Sequence, residues 1–478
     1  MTFRAKWPLQ KLTICGKITA TKPRNRKMKR KIYEKLLEWK SIDHGTSAVL
    51  INGARRVGKS YIAEEFAKRE YRNYLLIDFS KAKDDLRVTN TFRTYLSQPK
   101  EFFRRLSVIY NMPFYERDTL FIFDEVQKFP RAREAIKTLV ADGRYDFIET
   151  GSLVSINENV KDILIPSEEI DIDMYPMDFE EFLWAKGNET LMPMIRECFE
   201  KRIPMGSVHR VAMDALREYL IVGGMPQVIN RYLETNDFKV ADREKRKILA
   251  LYRKGIREHA GALVERVEAL YDFIPSQLQQ HEKKVVLADL EPEARMRDYQ
   301  DPLFWLKDAR VVNVAYNATE PNVGLGLSLD HSTIKCYFGD TGLLISHSFD
   351  ENDLMAEDIH KRLLFDDIAL NKGMLTENLV AQMLAAAGRK LYFFSRSDSK
   401  DRANRMEIDF LIAKSKLARK NNIHAIEVKS GKNTTHRSLN KFNAKYFDWL
   451  DTPYLLWDRD LLIKDGILHL PLYMAPFL

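Results

Sequence analysis

The sequence predicts an α/β protein with a parallel-sheet core in its first third, a mainly helical middle and a second α/β unit at its end. Short apolar runs alternate with helical patterns from residue 29 to about 152. Helical spacing then takes over, and β-branched runs bearing carboxylates and a lysine return after residue 388.

Ile32, Leu36, Leu37 and Trp39 recur at helical spacing. SAVLING (47–53), an apolar run closed by glycine, reads as a buried parallel strand. SYIAEEFAKREY follows as a helix, and NYLLIDFS (73–80), RDTLFIFDEV (117–126) and RYDFIETGS (144–152) read as three further strands. Beyond residue 170, DMYPMDFEEFLWA and LREYLIVGGMPQVINRYLE read as helices broken by Gly-Gly and Pro, and ADREKRKILALYRKGIRE (241–258) as a charged helix. IPSQLQQHEKKVVLADL and MRDYQDPLFWLKDARVVNVAY give short helices, a longer helix and a strand, an order compatible with a winged helix. A charge-rich linker near 348–362 leads to the helix KGMLTENLVAQMLAAAG and the strands KLYFFSR, MEIDFLIA and IHAIEVKS. The expected organisation is a leader at 1–27, a first domain at 28–170, a helical region at 171–350 and a last domain at 351–478.

At 478 residues the chain exceeds one core. No apolar run approaches the ~20 residues of a membrane span. Cys15, Cys198 and Cys336 are scattered, which suits a reducing cytoplasm better than a disulfide framework or a CxxC metal site. The net charge of +8 is a property of the leader. Residues 1–31 hold eleven Lys or Arg and no acid, so elsewhere 65 basic residues face 68 acidic ones. That leader reads as a nucleic-acid arm, as a transit-like segment, or as text upstream of a true start at Met28.

GARRVGKS, Gly53–Ser60, fits GxxxxGK[ST] and lies between an apolar strand and a helix, where phosphate binding requires it. The backbone of Gly53, Ala54, Arg55, Arg56, Val57 and Gly58 would wrap a β-phosphate at a helix N-terminus. Lys59 would reach the β- and γ-phosphates, and Ser60 would ligate Mg²⁺. The second required element is LFIFDE (120–125). Its buried strand ends in Asp124, the outer Mg²⁺ partner, and Glu125, which would orient the attacking water. Thr150 and Ser152, ending the next strand, are candidate γ-phosphate sensors or helix caps. Arg131, Arg133 and Arg144 are candidates for an arginine finger, and the sequence does not choose among them.

At the other end, a metal-dependent phosphodiester nuclease needs two or three carboxylates for Mg²⁺ and a lysine beside the reacting water. Asp409 lies in EIDFLI, and Glu427 and Lys429 share a face of the next strand, two residues apart. A hairpin through KSKLARKNN would set Asp409 opposite Glu427. Glu377, on the helix of TENLVAQML, supplies a further carboxylate. Glu377, Asp409 and Glu427 are the expected metal ligands, with Asp409, Glu427 and Lys429 catalytic. Helix–strand–strand order with E…D…ExK is the pattern of PD-(D/E)xK nucleases. His424 reads as a strand-surface residue and Glu407 as a flank of Asp409.

From Met28 onward the chain resembles bacterial and archaeal AAA+-like P-loop ATPases that carry a C-terminal domain of unknown function with nuclease-like features. The stretches are VLINGARRVGKS, FIFDEVQKFP, IETGSL, YPMDFEEFL, VGGMPQVINRYL, IPSQL, FGDTGLL, TENLVAQML and EIDFLI…IEVKSG. The resemblance implies a P-loop ATP-binding core, a helical and winged-helix-like middle and a restriction-endonuclease-like end. In VGGMPQ, Gly223 and Gly224 read as a tight turn, and in FGDTGLL, Asp340 reads as a cap. Two departures stand out: LIPSEEIDIDMYP lacks the arginine often found after TGS, and Ile408 replaces the motif's proline before Asp409.

These residues predict a Mg²⁺-dependent ATP-binding protein and slow ATPase whose hydrolysis controls a nuclease-like domain that cuts or binds DNA. The alternative is an ATP-dependent switch or protein-interaction module with an inactive nuclease-like domain. A third reading is a nucleotide-binding regulator with no nucleic-acid role. The near-neutral body weighs against a nucleic-acid partner, and the basic residues of 241–258 weigh for one. The expected partners are ATP, DNA and a protein partner, without a membrane; a ring or other oligomer is open at family level.

Overall fold

Five strands, β1 (Ala48–Asn52), β2 (Asn73–Asp78), β3 (Thr119–Asp124), β4 (Asp146–Gly151) and β5 (Glu169–Asp173), form an all-parallel sheet in the order β2-β3-β4-β1-β5. The computed structural model describes residues 28–43, 45–151, 167–280, 282–322, 324–349, 372–396, 405–414, 422–431 and 435–478. The leader 1–27, most of the linker near 348–362 and Ser152 lie outside the described residues.

The strands β1 to β4 send alternate side chains into different cores, as a sheet covered on both faces must. Val49, Ile51, Leu120, Ile122 and Ile148 pack with Ile62 and Phe66 of the helix Lys59–Glu70. Ala48, Leu50, Phe121, Phe123 and Phe147 pack on the other face with Phe92, Phe102 and Leu139, in a network of edge-to-face rings. The strand β5 has no apolar signature. EIDID is mostly solvent-facing, and its pairing with β1 places Asp173 beside Asn52, at the threshold of the phosphate loop.

The middle is helical: Phe179–Ala185, Leu191–Lys201, His209–Val222, Pro226–Thr235, Phe238–His259, Val264–Gln279 and Met296–Asp308. Asp178 and Glu181 make a reciprocal capping box at the first of these. Gly-Gly and Pro separate the helices ending at Val222 and starting at Pro226, as the sequence predicts. The strands β6 (Val312–Ala318) and β7 (Leu329–Phe338) follow the last helix and pair antiparallel. The winged-helix expectation is not shown here: the hairpin follows helices but does not stand free.

Its strand β6 pairs parallel with β8 (Tyr392–Arg396) and joins an eight-stranded sheet. The others are β9 (Met406–Ala413), β10 (Ile423–Val428), β11 (Tyr454–Trp457), β12 (Leu462–Lys464) and β13 (Ile467–Pro471), and the order is β12-β13-β11-β10-β9-β8-β6-β7. The expected division at 350/351 therefore falls within one continuous sheet. The antiparallel pair β9–β10 matches Phe410 to Ile426, so Asp409 and Glu427 occupy the next opposed positions. The helix Lys372–Ala386 covers this sheet and contributes Glu377. No helix among the described residues is long and apolar enough to cross a membrane.

Candidate functional site

The phosphate loop runs from the C-terminal end of β1 into the helix Lys59–Glu70, and its backbone explains its glycines. Gly58 has φ +98°, the left-handed region that side chains resist, and a Cβ on Gly53 would stand 2.3 Å from the Met174 carbonyl oxygen. Within the loop, Lys59 donates to the carbonyl oxygens of Gly53 (2.8 Å) and Ala54 (3.0 Å) and is only 8% exposed. Burial pushes its ammonium down to about 8; Glu125 and Asp124 oppose that shift and Arg55 adds to it.

The ends of β3 and β4 complete the arrangement. The Ser60 hydroxyl donates to Asp124 Oδ1 at 2.6 Å, and the Thr150 hydroxyl donates to the same oxygen. The Glu125 amide in turn donates to the Thr150 hydroxyl oxygen at 3.4 Å. Glu125 has φ +55°, an uncommon conformation for a non-glycine, and its carboxylate accepts from Gln127 Nε2. The expected residues Lys59, Ser60, Asp124, Glu125 and Thr150 are thus brought together. The donor set suits a hard cation, since carboxylate and hydroxyl oxygens converge beside a lysine held only by neutral carbonyls.

The two loop arginines part company. Arg56 is exposed. Arg55 reaches the long helix Phe238–His259, where its Nη2 lies 3.0 Å from His259 Nε2 and its carbonyl accepts from the Tyr252 hydroxyl. A Cβ on Gly255 would come within 3.1 Å of Arg55 Nη1, so the bare helix face makes room for the guanidinium. Burial, then Lys128 and Arg55, hold His259 below its usual range. Of the finger candidates, Arg131 pairs with Glu134 and Arg144 with Asp142, while Arg133 is buried against Glu149 and Glu169.

Arg30 is the loop contact that the sequence reading missed. Buried in front of the first helix, it donates to the carbonyls of Val57 and Tyr175, each at 2.7 Å, and to Glu181 at 3.1 Å. One arginine in a stretch of mixed lysines and arginines gives no sequence signal of that role.

Below the loop, Asp340 caps the helix Thr341–Ser348 and accepts from the Gly224 amide at 2.6 Å. A Cβ on Gly223 would stand 2.3 Å from Asp340 Oδ1. The VGGMPQ and FGDTGLL stretches are thus two halves of one close contact, as a turn and a cap. From there Thr341 donates to Gln382, and Asn378 bonds both polar backbone atoms of Phe338, so TENLVAQ anchors its helix through buried amides.

The C-terminal carboxylates gather around a lysine. Lys335, on β7 and 1% exposed, places its ammonium 2.9 Å from Glu407, 3.1 Å from Glu377 and 3.6 Å from Asp409. Lys283 donates to the other Glu377 oxygen at 2.6 Å, and the Tyr337 hydroxyl donates to Glu377 at 2.6 Å. Asp409 also accepts from the Val428 amide at 2.8 Å. Burial would lower the Lys335 ammonium, but Glu377, Asp409 and Glu407 outweigh it and hold it up. Burial likewise works against ionised Glu377, yet Lys335 and Lys283 hold its carboxyl down to about 2. Glu427 pairs with Lys429 at 2.6 Å and keeps one buried oxygen without a partner. Among the described residues no group of three or more His, Cys, Asp or Glu is placed to hold a metal ion. Glu407, read as a flank, proves a direct partner of Lys335. His424 lies against the Thr452 carbonyl, away from this centre.

Residues 45–183 match the family model of an AAA domain. This segment is similar to AAA-type nucleotide-binding domains. Residues 213–353 and 372–469 match two domains of unknown function, DUF8612 and DUF4143. An uncharacterized protein of Haemophilus influenzae is 23% identical over 199 residues, 41% of this chain and 48% of that protein, so the chain spans about half the length of this curated relative. Among solved structures, a Walker-type ATPase of Pyrococcus abyssi aligns at 15% identity and a TM-score of 0.40, over 67% of this chain and 95% of that one. Aeropyrum pernix ORC1 in complex with DNA aligns at 11% and 0.27 over 67% and 91%, and AMPPCP-bound DnaA from Aquifex aeolicus at 16% and 0.24 over 58% and 77%.

Proposed function

We propose that the chain is a Mg²⁺-dependent ATP-binding protein and slow ATPase whose nucleotide state is passed to its C-terminal half, which engages DNA. The single observation carrying this reading is the shared Asp124 oxygen, which takes the Ser60 and Thr150 hydroxyls beside Lys59. Bound Mg²⁺ would supply neutralisation of phosphate charge, with Ser60 and Asp124 to hold it. Lys59 exchanges its two carbonyl partners for phosphate oxygens, and the loop amides from Gly53 to Ser60 cradle the β-phosphate. Glu125 takes the proton of the attacking water, and Thr150 reports the γ-phosphate to Asp124.

Arg55 links this chemistry to the rest of the chain. Its guanidinium is close enough to bias Lys59 and is held by His259, so a phosphate that draws on the loop draws on the helix Phe238–His259. The same helix carries Asp242, bonded to Ser346 of the helix that Asp340 caps. A second reading, a switch or protein-interaction module without DNA cleavage, is favoured by the lysine contacts at Glu377 and Asp409.

Nucleotide binding and turnover of the full chain provide the test. Lys59→Ala should abolish ATP binding, and Glu125→Gln should keep binding while lowering kcat about 10²–10⁴-fold. Unchanged affinity in the first variant, or unchanged turnover in both, refutes the assignment. DNA stimulation of the ATPase separates a DNA-engaging switch from a regulator that acts on protein alone.

A further inference from the structure

The nuclease-like pattern implies a divalent cation among Glu377, Asp409 and Glu427, and these residues do not fit one. We infer that Lys335 is the resident cation of this centre, so that the C-terminal half works without a metal and does not cleave phosphodiesters. The inference deepens the second reading above and rests on it.

The geometry leaves a metal little to bind. Both Glu377 oxygens are used, one by Lys335 and Tyr337 and the other by Lys283. One Asp409 oxygen is held by the Val428 amide, and the other faces the Lys335 ammonium. The Glu407 oxygens face Lys335 and, at 3.9 Å, Lys284. Buried Lys335 and half-buried Lys283, set against three carboxylates, already balance most of the negative charge that would draw Mg²⁺. Glu427 Oε2 is the one oxygen left over, and a single monodentate carboxylate does not make a Mg²⁺ site.

The way the lysine arrives is built into the fold. Lys335 stands in IKCYF, the buried half of β7, and its ammonium lies 5.2 Å from the centre of the Phe393 ring. The segment carrying Lys283 and Lys284 runs beside β7, through the Lys284–Lys335 bridge and the Val285 amide on the Ile334 carbonyl. The charge that fills the centre therefore comes from the helical region and its hairpin, while the carboxylates come from the last domain. The cluster also binds those two regions together. Movement of the hairpin away from β9 would strip the carboxylates of their cation, which makes the pair a rigid unit.

Mn²⁺ binding to the nucleotide-free full chain tests this, read by paramagnetic resonance of free Mn²⁺, with the thermal midpoint in EDTA as a second measure. Without nucleotide, the result is independent of the fate of the ATPase assignment. The wild-type chain should show no Mn²⁺ uptake that Asp409→Asn or Glu427→Gln removes, and EDTA should leave its midpoint unchanged. Lys335→Met should gain one Mn²⁺ per chain, lost again on adding Asp409→Asn. Wild-type uptake that Asp409→Asn abolishes, or a folded Lys335→Met chain that gains no ion, overturns the inference. If Lys335→Met does not fold, the wild-type comparison and the EDTA midpoint decide alone. DNA cleavage in Mg²⁺ or Mn²⁺ that Asp409→Asn eliminates overturns it as well.

Discussion

Among the buried lysines of the described residues, Lys59 and Lys335 both stand near carboxylates and are placed differently. Lys59 donates to two neutral carbonyls, and burial brings its ammonium down to about 8. Lys335 is more deeply buried, yet three carboxylates hold its ammonium up. The difference lies in partners rather than burial. A lysine on carbonyls loses little by exchanging them for a phosphate; a lysine on buried carboxylates cannot leave without exposing their charge to a low dielectric. In the proposed function the first serves as a receptor, and the second as a lock.

The largest expected effect breaks the lock. Glu377→Gln leaves Lys335 and Lys283 undercompensated, and denaturant unfolding should show a loss of about 3–5 kcal/mol. Lys59→Ala, which frees only two loop carbonyls, should change stability by about 1 kcal/mol or less. Equal losses at the two sites would erase the distinction. Next in size is the link from the receptor to the middle region. Arg55→Ala should lower kcat about 10-fold with nucleotide affinity nearly kept, a change of about 1.4 kcal/mol in the barrier. If only KM moves, Arg55 acts in binding rather than in relaying phosphate chemistry.

The smallest effect is protonic. The folded ammonium of Lys59 lies below its unfolded value of 10.5, so the unfolded chain holds more protons between about 8 and 10.5. Stability therefore rises with pH through that window as the buried charge is relieved. Phosphate binding reverses the shift. Calorimetry near pH 8 in buffers of different ionisation heat should register uptake of about half a proton per nucleotide. Zero uptake would mean that Lys59 is already fully charged in the free loop. Glu377, held down to about 2, shows the opposite sign: its stabilisation is complete above the usual carboxylate range and fades as pH falls toward 2.

Much of the molecule was legible in local pattern. GARRVGKS between an apolar strand and a helix, and LFIFDE further on, marked the residues that the structure brings together around Asp124, because such motifs occupy short, contiguous loops. The MEIDFLIA and IHAIEVKS strands, and their antiparallel pairing, were equally readable from alternation. EIDID was not, since the strand β5 is held by backbone pairing to β1 and buries little side chain. Arg30 and His259 were invisible for a different reason: the loop they touch lies 27 residues away from the first and 204 from the second.

The sequence by itself determined many of the elements and which carboxylates share the last sheet, because periodicity and strand pairing act over a few residues. It contained one clue to the lock, a lysine inside the apolar run IKCYF, but not what that lysine meets. Only the tertiary structure decided that. Lys335 reaches Glu377 across 42 residues, and Asp409 and Glu407 from farther still, through a hairpin that crosses the expected domain boundary to pair with β8. A buried charge takes its meaning from its neighbours in space, and those neighbours are set by how sheets assemble.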